Sequence, residues 1–174
     1  TNRYIVDHVI NWADAPEDPV FQLVFPQPGM LDEESTAKMR AIVDAGLDHG
    51  PDLQDAADDV RETMNPHPAG QKTLNVPKVD GQELPGLQHK YRETVLFFPT
   101  EAQYCHSYCT YCFRWAQFVS VGSALQFASK DANLLASYIR QNQHVTDLLF
   151  TGGDPMVQTS KQLGRYIRPL LDTP

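Results

Sequence analysis

Cysteine is scarce in this chain, and the three that occur are confined to positions 105–112 of 174. An odd, tightly clustered set makes a poor disulfide framework. Thiols kept unpaired belong to a reducing compartment, so the chain is expected to be cytoplasmic. Long apolar runs are also missing. Nothing approaches the roughly 20 residues that span a bilayer, and no membrane association is expected. The first residues lack a cationic stretch followed by an apolar one, so no secretory signal is expected. Positive charge is in deficit, with 14 Lys and Arg against 22 Asp and Glu and a net charge of -8. With no Lys/Arg cluster either, nucleic acid is not an expected partner. Repeats and low-complexity tracts are absent.

What remains is the composition of a globular protein, 41% hydrophobic and 21% charged, with a mean hydropathy of -0.41. That length holds one ordinary domain with a real core. Residues 1–88 are expected to be a mostly helical, loop-rich extension. One helix should run from Asp32 to Ala45, capped by Asp32, with Met39, Ile42 and Val43 inward and Gly46 as the stop. A second should run from Leu53 to Met64, its inward face made by Leu53, Ala56, Ala57, Val60 and Met64 and its acidic face solvated. Trp12, Phe21 and Phe25 are expected to pack within the extension. Asn65 to Gly86 has prolines and glycines without a sustained period, and is expected to be a long loop at a domain boundary.

From Thr94 the pattern changes. Val95-Leu96-Phe97-Phe98, ended by Pro99, is a continuous apolar run of the kind buried on both faces of a parallel sheet. A helix from Asp131 to Gln141 should follow, capped by Ser129, with Leu134, Leu135, Tyr138 and Ile139 inward. A second buried strand should run from Val145 to Phe150. Thr159 and Gln162 form a capping box for a last helix whose inward residues are Leu163, Tyr166, Ile167, Leu170 and Leu171, and Pro169 should end it near Arg168. This βαβα order implies parallel strands joined by right-handed crossovers. Two strands cannot close a barrel, and the chain stops at Asp172-Thr173-Pro174 where a third would begin. The expectation is a fragment, a split subunit or part of an α/β barrel over residues 89–174.

Two loops carry the chemistry. Cys105, Cys109 and Cys112 are spaced C-x3-C-x2-C after the first strand, at the sheet end where parallel α/β folds place active sites. Three thiolates there can ligate three irons of a cubane cluster and leave the fourth open for chemistry. A structural zinc would need a fourth ligand. His106 adjoins Cys105 too closely to serve, leaving His89 or His144 from a distance. The other loop, Thr151-Gly152-Gly153-Asp154-Pro155, follows the second strand. Its glycines allow close backbone approach, and Asp154 with exposed main chain could receive an ammonium group. His8, His49, His67 and His144 are scattered and read as surface or loop residues.

Together these residues resemble the radical S-adenosylmethionine (SAM) superfamily, with Tyr111 at its aromatic position before the last cysteine and Gly152-Gly153-Asp154 at its glycine-rich motif. The resemblance implies a [4Fe-4S] cluster on Cys105, Cys109 and Cys112. It implies SAM held by its amino group at Gly152, Gly153 and Asp154 with adenine near Tyr111, and cleavage to a 5'-deoxyadenosyl radical after reduction by a donor such as flavodoxin or ferredoxin. Pro85-Gly86-Leu87-Gln88-His89-Lys90-Tyr91 with Val95-Leu96-Phe97, and Leu148-Leu149-Phe150-Thr151-Gly152-Gly153-Asp154-Pro155, resemble the lysine 2,3-aminomutase family within it. That family implies a 1,2-amino shift on an amino acid, with Arg114 on the substrate carboxylate. It also implies pyridoxal phosphate, whose lysine lies beyond the last residue here; Lys161 has no claim to that role. The chain keeps one of three arginines the family has after the last cysteine, and Thr94 replaces another. A different radical SAM substrate such as a protein side chain, or a non-catalytic iron–sulfur or zinc module, are the competing readings. A homo-oligomer or a complementing C-terminal segment would be the partners.

Overall fold

The structure is a computed structural model and describes residues 1–47, 49–64, 70–105, 107, 109–117 and 125–171. The zinc argument around His106, the surface reading of His67, the first residues of the expected 65–86 loop and the last three of the chain fall outside them. The chain divides into two compact units, Thr1–Pro66 with Ser107–Phe113, and His67–His106 with Arg114–Pro174.

The first unit is helical. α1 (Arg3–His8) is capped by Asn2, whose side chain accepts from the Ile5 N–H. α2 (Pro19–Val24) is capped by Asp18, which accepts from Phe21, and carries proline in its first turn, where no partner for the N–H is lost. Neither was expected, because six residues are too few to show a period. α3 (Glu33–Asp44) starts at Asp32 as its sequence predicts. The bond from the Ser35 N–H holds the Asp32 carboxyl below the usual carboxylate range. The chain then turns at Gly46, where φ is +72°. α4 (Pro51–Thr63) buries Ala56 and Val60. The buried stripes are narrower than the pattern implies: Val43 and Met64 stay exposed. A helix pair has only one partner face to offer, so flanking apolar positions remain wet. Lys38 bridges α3 to Asp59 of α4 at 2.6 Å, a surface pair worth at most about 1 kcal/mol. Trp12, Phe21 and Phe25 do form a cluster, with Phe21 stacked on Phe25 at 4.9 Å, although Trp12 remains half exposed.

The second unit holds the sheet. Within the expected loop lies a hairpin, β1 (Lys78–Val79) and β2 (Gln82–Glu83), paired Lys78 to Glu83. Asp80 and Gly81 both have positive φ, the two-residue turn whose twist suits a hairpin. Then β3 (Leu87–Tyr91), β4 (Thr94–Phe97) and β5 (Asp147–Phe150) form one sheet in that order. β4 and β5 are parallel, Thr94 opposite Asp147 through Phe97 opposite Phe150, with the expected helix between them. β3 is antiparallel to β4, so the sheet is mixed rather than parallel. With Leu87 followed by three polar residues and burial confined to Leu87 and Gln88, this edge strand shows no apolar period. Among the described residues no strand pairs with the outer side of β5, and Leu149 there is exposed. The second strand is therefore not buried on both faces, and the sheet is open.

α5 (Ala132–Gln141) buries Leu135, Ala136 and Tyr138, with Leu134 and Ile139 half-buried. Its cap is Asp131, not Ser129; the Ser129 hydroxyl instead accepts from the Asp131 N–H. α6 (Ser160–Ile167) has the complete capping box of Thr159 and Gln162 and gives way to a 3-10 turn, Arg168–Leu170, at Pro169. Tyr166 is its buried residue, whereas Ile167 and Leu171 are exposed. The core joins Val79, Leu84, Leu87, Val95, Phe97, Leu135, Tyr138 and Tyr166. No helix among the described residues is long and apolar enough to cross a membrane.

Candidate metal and cofactor site

β4 ends at Phe97, and Pro99 blocks its continuation. A 3-10 turn, Thr100–Ala102, then carries the chain to Gln103, Tyr104 and Cys105. The glycine turn after β5 lands on this stem. The Gly153 N–H donates to the Ala102 carbonyl at 2.9 Å. A Cβ on Gly153 would stand 3.0 Å from the Cys105 nitrogen and well inside contact of the Tyr104 carbonyl. One on Gly152, where φ is +147°, would meet the Ala102 oxygen at 2.7 Å and the Gln103 amide at 2.5 Å. Parallel pairing of β4 with β5 makes this possible, because it puts the ends of both strands, and the loops leaving them, on the same side of the sheet. The structure therefore brings Gly152 and Gly153 against the backbone that leads into the first cysteine.

Asp154 has a local duty as well: one carboxylate oxygen accepts from the Met156 N–H at 2.8 Å and caps the turn Pro155–Val157. Cys105, in this unit, is partly exposed and forms no disulfide. In the other unit Cys109 and Cys112 likewise form no disulfide, and are joined through their backbone by a 3.0 Å bond from the Cys112 N–H to the Cys109 carbonyl. Tyr111, between them, is 76% exposed, open for a ring to lie against it. Arg114 is half-buried with its guanidinium 4.6 Å above the Phe98 ring, a cation–π contact. Among the described residues no three His, Cys, Asp or Glu side chains are gathered as a metal site, so the cysteine set rests on its spacing and chemistry.

These residues fit the cofactors that the sequence resemblance implies. Three cysteines outside any disulfide can supply, once deprotonated, the soft anionic thiolates an iron–sulfur cluster takes. At the two glycines the turn approaches the stem so closely that no side chain would fit. Among the described residues the Gln103 Oε1 at the stem is buried without a partner, an acceptor of the kind usually met by water or a ligand donor.

One constellation escaped the sequence altogether. Glu101, on the stem, accepts from the Tyr166 hydroxyl at 2.5 Å and pairs with Arg165. Burial alone would raise the Glu101 carboxyl, but the bonds from Tyr166 and its own backbone, with the Arg165 charge, hold it below its usual range. Burial first, and Glu101 second, push the Tyr166 hydroxyl well up. The residues lie 65 positions apart, and no local pattern announces such a pair. Because the folded Glu101 pKa is depressed, its contribution is complete above the ordinary glutamate pKa of about 4.3 and is lost as pH falls through the folded value. Tyr166→Phe should cost about 1.5–3 kcal/mol, the scale of a hydrogen bond to a charged group. It should also flatten the loss of stability in acid, because the folded Glu101 carboxyl then titrates closer to its unfolded value, read from urea denaturation between pH 3 and 7. An unchanged acid limb would show that the contact carries no such linkage. His89 and His144 stack at 5.8 Å, and His89 bonds the Tyr138 hydroxyl.

The chain is also similar to known proteins. An L-lysine 2,3-aminomutase of Acetoanaerobium sticklandii is 30% identical over 129 residues, 71% of this chain and 30% of that protein. The L-lysine 2,3-aminomutase of Bacillus subtilis is 32% identical over 91 residues, 52% of this chain and 18% of its own length. An Aquifex aeolicus protein named for the same activity is 27% identical over 174 residues, all of this chain and 35% of the relative. The chain is similar to lysine 2,3-aminomutases. It spans no more than about a third of the length of these relatives. No family model and no solved structure matches it.

Proposed function

We propose that this chain is the cluster- and SAM-binding portion of a radical SAM enzyme of the lysine 2,3-aminomutase kind. The observation that carries the reading is the seating of Gly152 and Gly153 on the backbone of Ala102 to Cys105. An electron-transfer or zinc module has no use for a glycine cradle beside its first cysteine; an enzyme that binds the amino acid end of SAM next to its cluster does. Cys105, Cys109 and Cys112 ligate three irons and leave one open. Gly152, Gly153 and Asp154 receive the SAM amino group, and Tyr111 lies along the adenine. Arg114, packed against the Phe98 ring, presents a planar fork to a substrate carboxylate. When bound, the cluster and SAM would supply radical chemistry for hydrogen abstraction from an amino acid, and pyridoxal phosphate would carry the migrating amino group. The chain's own part is to hold these groups in place and keep water from them. An external one-electron donor completes the requirement, and β4 and β5 are the first parallel strands of a barrel.

The test is anaerobic reconstitution with iron and sulfide, reduction by dithionite, and EPR spectroscopy with and without SAM. A [4Fe-4S]+ signal whose g-values change on adding SAM is the expected result. A cluster indifferent to SAM, or zinc bound in place of iron, would overturn the reading.

A further inference from the structure

Thr110 sits between Cys109 and Tyr111, in the cysteine segment that packs with the N-terminal helices. Its N–H donates to the Leu23 carbonyl at 2.8 Å, and its hydroxyl donates to the Gln22 carbonyl at 2.9 Å. Both acceptors belong to the last turn of α2, where helical carbonyls have no partner within the helix. Thr110 satisfies two of them at once, with one residue. The anchor is itself well fixed. Asp18 caps α2 and is buried, Pro19 sets its first turn, and the stacked Phe21 and Phe25 with Trp12 hold its side. Thr110 is also one of the two residues inside the turn closed by the Cys112 N–H and the Cys109 carbonyl. A two-point tether therefore acts in the middle of a turn whose two ends are thiols.

We infer that Thr110 is a positioning residue, which through α2 presets the spacing and direction of the Cys109 and Cys112 thiols. Valine in its place keeps the branched shape but loses the hydroxyl, whereas serine keeps the hydroxyl. That the thiols take up a cluster rests on the radical SAM reading; the tether itself can be measured without iron.

The experiment compares wild type, Thr110→Val and Thr110→Ser in the whole chain. In the iron-free protein, alkylation of each cysteine is followed by mass spectrometry. Thr110→Val should raise the rates at Cys109 and Cys112 relative to Cys105 by roughly three- to tenfold, the scale of one net hydrogen bond, and Thr110→Ser should restore them. In the reconstituted protein, Thr110→Val should shift the cluster's midpoint potential and speed iron loss to a chelator, again with rescue by serine. Unchanged relative rates in Thr110→Val would overturn the inference, as would equal acceleration at all three cysteines. Selective acceleration in a chain that never takes up iron would uphold the tether and defeat the radical SAM reading instead.

Discussion

Alanine at Gly153 is expected to leave iron loading intact while erasing the response of the cluster to SAM. The added methyl would meet the backbone of Tyr104 and Cys105 rather than a movable side chain, so relief requires the whole turn to withdraw. Overpacking of this kind costs about 1–3 kcal/mol and sometimes more. Because Gly153 forms the proposed amino-group site, the withdrawal also opens the gap that the ligand must span. A loss of SAM affinity of at least roughly tenfold is the expected result, since about 1.4 kcal/mol corresponds to a factor of ten. Titration of the EPR change with SAM gives the affinity, and a thermal melt gives the stability. Gly164→Ala is the control. It sits within α6, where an added methyl would meet nothing nearer than the Arg168 Nε at 3.9 Å, and helix propensity predicts a gain of about 0.5–1 kcal/mol. Should Gly153→Ala bind SAM as wild type does, the cradle has been assigned to the wrong ligand.

A second large effect is expected in the core. Phe97 is fully buried and meets Phe150 at 5.7 Å and Tyr166 at 5.1 Å, both edge-on. It thus ties β4 to β5 and to α6, the three elements that aim the glycine turn at the cysteine stem. Phe97→Ala should cost about 3–5 kcal/mol, combining lost transfer energy with a residual cavity. Against a typical total of about 5–15 kcal/mol, that leaves the unit containing the sheet marginal. Urea denaturation followed by circular dichroism measures the loss. A cost below about 1 kcal/mol would mean that the aromatic packing does not carry the sheet.

These expectations show where sequence reasoning succeeds. α3, α5 and α6 each have a capping side chain and a period long enough to see, and they formed within a residue or two of the expected ends. α4, with Gly50 and Pro51 at its start in place of a capping side chain, began two residues early. The errors have physical causes. α1, α2 and the β1–β2 hairpin are too short for periodicity, and only the Asp80-Gly81 pair marked the hairpin. Val43, Leu149, Ile167 and Leu171 are apolar and still exposed, because burial is decided by what packs opposite, which no local window contains. The cysteine and glycine motifs stand out in the sequence by their spacing, and the pairing of β4 with β5 brings the glycine turn against the stem before Cys105. The contacts that support them, Thr110 on α2 and Glu101 on Tyr166, join residues 88 and 65 positions apart, and their sequence neighbourhoods hold no trace of the partner.

The docking of Thr110 on α2 also sets an order of events during synthesis. A six-residue helix does not persist alone in water, so α2 depends on its caps, its aromatic neighbours and the segment that arrives with Thr110. That segment leaves the ribosome only after everything between α2 and the cysteines has been made. The first two dozen residues must therefore wait through a long loop closure, and the thiols of Cys109 and Cys112 stay unanchored until it is done. Maturation of the proposed cluster would then be paced by the arrival of the N-terminus at the cysteine segment as much as by the supply of iron.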